Sequence, residues 1–276
     1  METNQINYRE MPGRHVKTYS FPDANCVIVS GDIHGDFNLL VYKLCVQYAM
    51  TNTLLIVAGD CGFGFEKKEY YENVYRRIQK RLKEANDWIV LVRGNHDNPA
   101  YFEQEMIKHE RFMTVPDYSI IKTCGHSLLC VGGAISIDRT NRIRIDTERS
   151  NPYGFKTKTI DSVACYWPEE TVYYNERLLS EVKAIGIIDT VITHTAPSFC
   201  ELIEKDGLIG WAHYDFSLYE DCTRERNTLD ALFHKLIEDG HPLTHWYYGH
   251  FHQSWHGSVD GVLFKMLDIM EFTEVR

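Results

Sequence analysis

Residues 88–97 read Trp88-Ile89-Val90-Leu91-Val92-Arg93-Gly94-Asn95-His96-Asp97, five apolar residues followed at once by a turn of polar side chains. A short apolar run rich in β-branched residues and closed by a Gly-containing polar turn reads as a strand. The polar cluster therefore sits at a strand's carboxyl end. The same pattern recurs on both sides. Upstream, residues 27–30 form an apolar run that feeds Gly31-Asp32-Ile33-His34-Gly35-Asp36. Phe37, Leu40, Val41, Leu44, Cys45 and Tyr48 then recur at helical spacing, with Asp36 as the N-cap. Residues 54–58 end in Gly59-Asp60, and a charged amphipathic helix follows over 67–85.

Downstream, residues 127–131 lead into Gly132-Gly133, residues 190–193 end at His194, and residues 246–248 end in Gly249-His250-Phe251-His252, with one more strand over 262–266. Strands alternating with helical patterns predict an α/β fold. In open α/β sheets ligands gather beyond the carboxyl ends of the strands. Five segments carrying Asp, His or Asn are thus expected to converge on one edge. Residues 136–167 and 197–227 fit the rhythm poorly and read as insertions over that edge in a single domain of residues 1–276.

Hydrophobic residues make up 44% and charged residues 25%, values of an ordinary globular chain rather than a disordered or fibrous one. The net charge of -10 argues against a broad basic surface for nucleic acid, but bound cations would invert the local sign and admit an anionic substrate. Residues 1–20 hold no apolar stretch, and no run approaches the roughly 18 apolar residues of a membrane span. The eight cysteines are scattered without a C-x-x-C pair. Together these features predict a cytosolic protein with reduced thiols.

The strand ends offer Asp32, His34, Asp60, Asn95, His96, His194, His250 and His252. Carboxylate, amide and imidazole donors suit Mn, Fe, Zn or Ni better than Ca, which takes oxygen alone. In Asp32-x-His34 and His250-x-His252 residues two apart point to the same side of extended chain, so each pair can grip one centre. Asp60, alone at its strand end, is the natural bridge between two cations.

In order and spacing these elements resemble the calcineurin-like metallophosphoesterases, whose signature runs D-x-H, G-D, G-N-H-[DE], H, G-H-x-H. The resemblance implies a four-layer α/β/β/α sandwich of two mixed sheets flanked by helices. It also implies two divalent metal ions, Mn foremost with Fe, Zn, Ni or Mg as alternatives. One ion would take Asp32, His34 and His252, the other Asn95, His194 and His250, with Asp60 shared. The reaction implied is hydrolysis of a phosphorylated substrate by an activated water, with His96 as general acid, Asp97 fixing its tautomer and Arg93 gripping phosphate. For Arg93 the bland alternative is a carboxylate partner, and for Asp97 it is a helix N-cap.

The chain departs from the protein phosphatase branch at Asp60-Cys61-Gly62, where that branch adds a substrate arginine. Arg139, Arg142 and Arg144 are candidate replacements if their segment folds over the site, and otherwise belong to a solvated loop. The aromatic residues Phe199, Trp211, Tyr214, Phe216 and Tyr219 read as packing beneath a loop in preference to a stacking platform. A phosphomonoesterase is the leading expectation. A phosphodiesterase or nucleotide pyrophosphohydrolase is the near alternative, and a non-catalytic scaffold the distant one.

Overall fold

In the computed structural model, which describes residues 6–150 and 164–276, the predicted strands build two mixed sheets. The second begins with β1 (Thr18–Ser20), and the first is centred on β2 (Cys26–Ser30), β3 (Thr53–Ala58) and β4 (Trp88–Val92), all parallel. Short strands β5 (Lys108–His109) and β6 (Phe112–Thr114) extend one edge of the first sheet. In the second sheet β7 (Ser119–Thr123) lies between β1 and β8 (His126–Val131). Parallel strands β9 (Thr190–Thr193) and β10 (His245–Tyr248) follow. The antiparallel pair β11 (Trp255–Val259) and β12 (Val262–Met266) completes that sheet. Strand β13 (Phe272–Glu274) pairs antiparallel with β2 and so ties the end of the chain to its beginning.

Alternation of side chains across each strand makes both faces of both sheets apolar. Val27, Val29, Leu54, Ile56, Val90 and Val92 meet Ile121, Leu128, Cys130, Ile192 and Tyr247 between the sheets. On the other face of the first sheet Leu55, Val57, Ile89 and Leu91 pack under α1 (Phe37–Tyr42) and α2 (Lys68–Ala85). Asp36 caps α1 as expected, accepting from the Leu39 N–H at 3.0 Å. After the short α3 (Pro99–Glu103) and α4 (Arg139–Ser150), helices α5 (Glu176–Ile185) and α7 (Leu218–Glu238) cover the second sheet through Leu178, Val182, Leu229, Leu232 and Phe233. Three buried interfaces therefore stack four layers, the expected α/β/β/α sandwich.

The two expected insertions are more ordered than the sequence reading implied. Residues 139–150 form α4, and residues 197–227 contain α6 (Leu208–Ala212) and the start of α7. Residues 151–163 of the first insertion lie outside the described residues. The insertions hold each other through a small apolar cluster of Leu208 and Leu218 with Ile135, just before the first insertion, and Ile137, Trp211 and Cys222 packed against it. Arg139 adds a charged tie, with Nε 2.5 Å from Asp215 Oδ2 and Nη2 2.6 Å from Asp221 Oδ2. Arg139 is thus a brace between insertions rather than a phosphate ligand. Of the aromatic residues, Phe199 packs edge-on to Phe233 and Phe264, while Tyr214 and Phe216 are 77% and 94% exposed among the described residues.

Helix α7 carries one buried acid, Glu225, whose Oε1 accepts from the Thr171 hydroxyl at 3.2 Å. Burial, reinforced by nearby Glu170, pushes this carboxyl up to about 8. The folded chain then binds a proton that the unfolded chain releases near the ordinary carboxyl value, so stability falls as pH rises between those two values. Glu225→Gln is expected to flatten that fall, read as urea midpoints across about pH 5 to 8.

Candidate metal centre

Each polar motif follows a central strand: Asp32 and His34 after β2, Asp60 after β3, Asn95 after β4, His194 after β9, and His250 and His252 after β10. To aim side chains back over the sheet ends the chain must turn sharply within one residue. It does so with His34, Asp60, His250 and His252 in the left-handed region, at φ of 44°, 46°, 69° and 55°. Such conformations cost on the order of 1 kcal/mol or more each outside glycine and persist only where the surroundings enforce them. Gly94 is needed for a different reason than a turn. A Cβ there would strike the backbone nitrogen and Oδ1 of Asp60, so glycine permits two motif loops to touch.

The side chains gather into two groups that share Asp60. On one side Asp32 Oδ2 lies 3.0 Å from His252 Nε2 and 3.7 Å from His34 Nε2, and Asp60 Oδ2 lies 3.9 Å from His34 Nδ1. Donor atoms of Asp32, His34, Asp60 and His252 all fall within 4.8 Å of one another. On the other side His194 Nε2 lies 3.1 Å from Asp60 Oδ1 and 3.1 Å from Asn95 Oδ1, which is itself 3.0 Å from His250 Nδ1.

The chemistry of these donors fits cations. Asp32 and Asp60 are buried, and each has one oxygen held by a backbone N–H, from His250 at 2.9 Å and from His96 at 2.7 Å. Among the described residues their second oxygens, Asp32 Oδ2 and Asp60 Oδ2, receive no hydrogen bond. A buried carboxylate oxygen without a donor is costly unless a positive charge sits beside it. The Ala58 carbonyl takes the Nδ1 hydrogen of His194 at 2.8 Å, which leaves Nε2 facing two oxygens. Burial opposes charge on this ring, but Asp60 and Asp32 outweigh it and raise His194 to about 9. The pocket prefers a positive charge to a neutral ring at that point.

A chain of hydrogen bonds behind the donors fixes the amide. Asn95 Nδ2 donates to Ser136 Oγ at 2.9 Å, and Ser136 donates from its hydroxyl and its backbone N–H to the two oxygens of Glu170, each at 2.7 Å. With the NH2 side engaged, Oδ1 is the atom turned toward His194 and His250. Ser136 opens the first insertion and Glu170 follows it, but nothing in the sequence linked either to Asn95.

Two predicted roles are corrected. Arg93 is 1% exposed, and all five of its N–H donors are engaged away from the site. Nε and Nη2 reach Asp117 Oδ2 at 3.2 and 2.8 Å, and the remaining hydrogens meet carbonyls of Gly132, Glu169, Glu170 and Thr171. No donor is left for phosphate, so the carboxylate pairing is the observed one. Asp97 neither touches His96 nor caps α3, whose cap is Asn98. It accepts from the backbone N–H groups of Cys61, Gly62, Phe63 and Gly94 at 2.8–3.0 Å and clamps the loops after β3 and β4 together.

His96 stays at the site, with Nε2 4.0 Å from Asp60 Oδ2. Burial first, and then Arg142 against the opposing pull of Asp60, holds the ring down to about 4. Arg142 Nη2 lies 2.5 Å from His96 Nε2, whereas Arg144 is turned to its own helix and to solvent. Lys205, which the sequence reading overlooked, donates from Nζ to the carbonyl of His250.

A family model described as calcineurin-like phosphoesterase matches residues 27–254, most of the chain. No curated protein matches. Similar solved structures include TT1561 of Thermus thermophilus, at a TM-score of 0.49 and 13% identity over 90% of each chain. A phosphopantetheinyl hydrolase from Mycobacterium tuberculosis scores 0.45 at 14% identity, over 90% of each chain. A dimetal phosphatase from Danio rerio scores 0.45 at 12% identity, over 90% of this chain and 88% of that one. Likeness at this level carries no argument about site or substrate.

Asp117→Ala would leave the Arg93 guanidinium buried and without its ion pair, at a cost of about 3–5 kcal/mol. Denaturant unfolding is expected to register that loss. Metal content of whatever protein remains folded should match wild type, because Arg93 lies outside the donor groups.

Proposed function

The chain belongs to the calcineurin-like phosphoesterase family, whose members hydrolyse phosphoric esters, and from that premise we propose a two-metal phosphomonoesterase. The observation that carries the reading is the division of Asp60, with Oδ1 turned to His194 and Oδ2 to His34. We assign Asp32, His34 and His252 to one divalent ion, Asn95, His194 and His250 to the other, and Asp60 to both. Such a pair supplies Lewis-acid polarisation of phosphoryl oxygens and a water of lowered pKa. Mn is our first choice for an oxygen and imidazole set, with Fe, Zn, Ni and Mg behind it.

The remaining work falls to side chains. His96 and His34 border a cleft of about 270 Å³ that Gly62, Phe65, Glu66 and Tyr70 also line. Phe65 and Tyr70 give it an aromatic wall that suits the alcohol portion of a substrate, on the side where His96 stands. His96 is therefore assigned to hand a proton to the departing oxygen, which requires a bound phosphate dianion to draw Arg142 off Nε2 and raise the ring from the low value it holds in the free site. The Ser136–Glu170 chain holds Asn95 with its oxygen inward, and Asp97 holds the loops that carry Asp60 and Asn95 in register. A single domain over residues 1–276 belongs to the same reading, supported by the pairing of β13 with β2. A cytosolic setting also belongs to it, on the strength of the scattered thiols. No described helix is long and apolar enough to cross a membrane.

With Mn added, turnover of p-nitrophenyl phosphate should exceed that of its bis ester, and the reverse order would favour the diesterase or pyrophosphohydrolase. Metal analysis is expected to find two ions per chain, and fewer than two after Asp60→Ala. His96→Ala should slow alkyl phosphates by about 10²-fold or more, with a smaller loss on aryl esters. Equal losses on both would remove the proton-transfer role.

A further inference from the structure

The two insertions meet over the metal centre, and each brings one cation to it. From α4, Arg142 is 9% exposed and anchored by Nε to Asp138 Oδ1 at 2.7 Å, with Nη2 against His96. From the other insertion, Lys205 donates to the carbonyl of His250; burial and Arg142 lower its pKa against the opposing pull of Asp60, Asp32 and Asp138. The contrast with Arg93 is chemical. Every donor of Arg93 is spent on carboxylate or carbonyl oxygen, whereas the outer fork of Arg142 meets an imidazole nitrogen and, at 3.5 Å, the Cys165 carbonyl. Neither contact neutralises a guanidinium.

Two divalent ions held by two carboxylates already leave the centre positive, and Arg142 and Lys205 add to that excess at its rim. Asp138 offsets only part of it. A monoester phosphate carries two negative charges near neutrality and three terminal oxygens, and a diester carries one charge and two such oxygens. Extra cations at the rim reward the first more than the second. Planar guanidinium also suits bidentate contact with phosphate oxygens in a way that an ammonium does not.

Resting on the two-metal reading above, we propose that Arg142 and Lys205 form a clamp for the terminal oxygens of a phosphomonoester dianion, so that the insertions set the preference for monoesters over diesters. The brace of Arg139 with Asp215 and Asp221, together with the Ile135–Leu208–Leu218 cluster, keeps the two arms in register. Arg139 is in this sense a positioning residue.

Calorimetric titration of Mn-loaded protein with inorganic phosphate and with dimethyl phosphate tests the clamp without reference to turnover. R142A and K205A should each weaken phosphate by about tenfold or more and dimethyl phosphate by clearly less, with metal content at the wild-type level. R142K, which keeps the charge and loses the fork, should fall between wild type and R142A, and it serves if R142A does not fold. Unchanged phosphate affinity in folded, metal-replete variants would overturn the clamp. Equal losses for both ligands would overturn its role in selecting monoesters. Failure of the wild type to bind two ions would instead strike the two-metal reading, and metal analysis of the same samples separates the cases.

Discussion

Two carboxylates buried at the ends of adjacent parallel strands govern this molecule. Asp32 and Asp60 each give one oxygen to a backbone N–H and turn the other toward imidazole nitrogens. Negative charge so placed is tolerable only if positive charge joins it, and the imidazole nitrogens of His34, His194 and His252 stand 3.0–3.9 Å from these oxygens. Much of the neighbouring architecture serves that arrangement. Left-handed turns at four candidate donor positions, a glycine where loops touch, and a clamp of four N–H groups on Asp97 all fix where the two carboxylates point.

Much of this was legible in sequence because the strands are buried on both faces and end abruptly in polar motifs. Trp88–Val92, Thr190–Thr193 and Val262–Met266 begin and end where the apolar runs do. Short edge strands such as Lys108–His109 escaped notice, since two residues carry no periodicity. The seven metal-ligand candidates come together because each hangs on the carboxyl end of a parallel strand, and the two sheets, packed face to face, turn those ends to the same side.

Supporting roles were less readable, and Arg93 and Asp97 show why. Adjacency to a ligand says nothing about which distant group a side chain will find. Asp117 and the carbonyls of residues 169–171 were waiting for the guanidinium, and four amide hydrogens of two loops were waiting for the carboxylate. Nor does a sequence announce that two unrelated insertions will fold onto each other. The Arg139 ties and the small apolar cluster between them arise only once the sandwich has set the distance they span.

The Asn95–Ser136–Glu170 chain has a bearing on how the protein ages. Asparagine side chains can lose ammonia and become aspartate. At position 95 that change would turn a donor into a second acceptor facing a hydroxyl already given to Glu170, and would crowd three carboxylates into one buried corner. A single slow chemical lesion there would unsettle the donor set from behind while leaving its other members chemically unchanged.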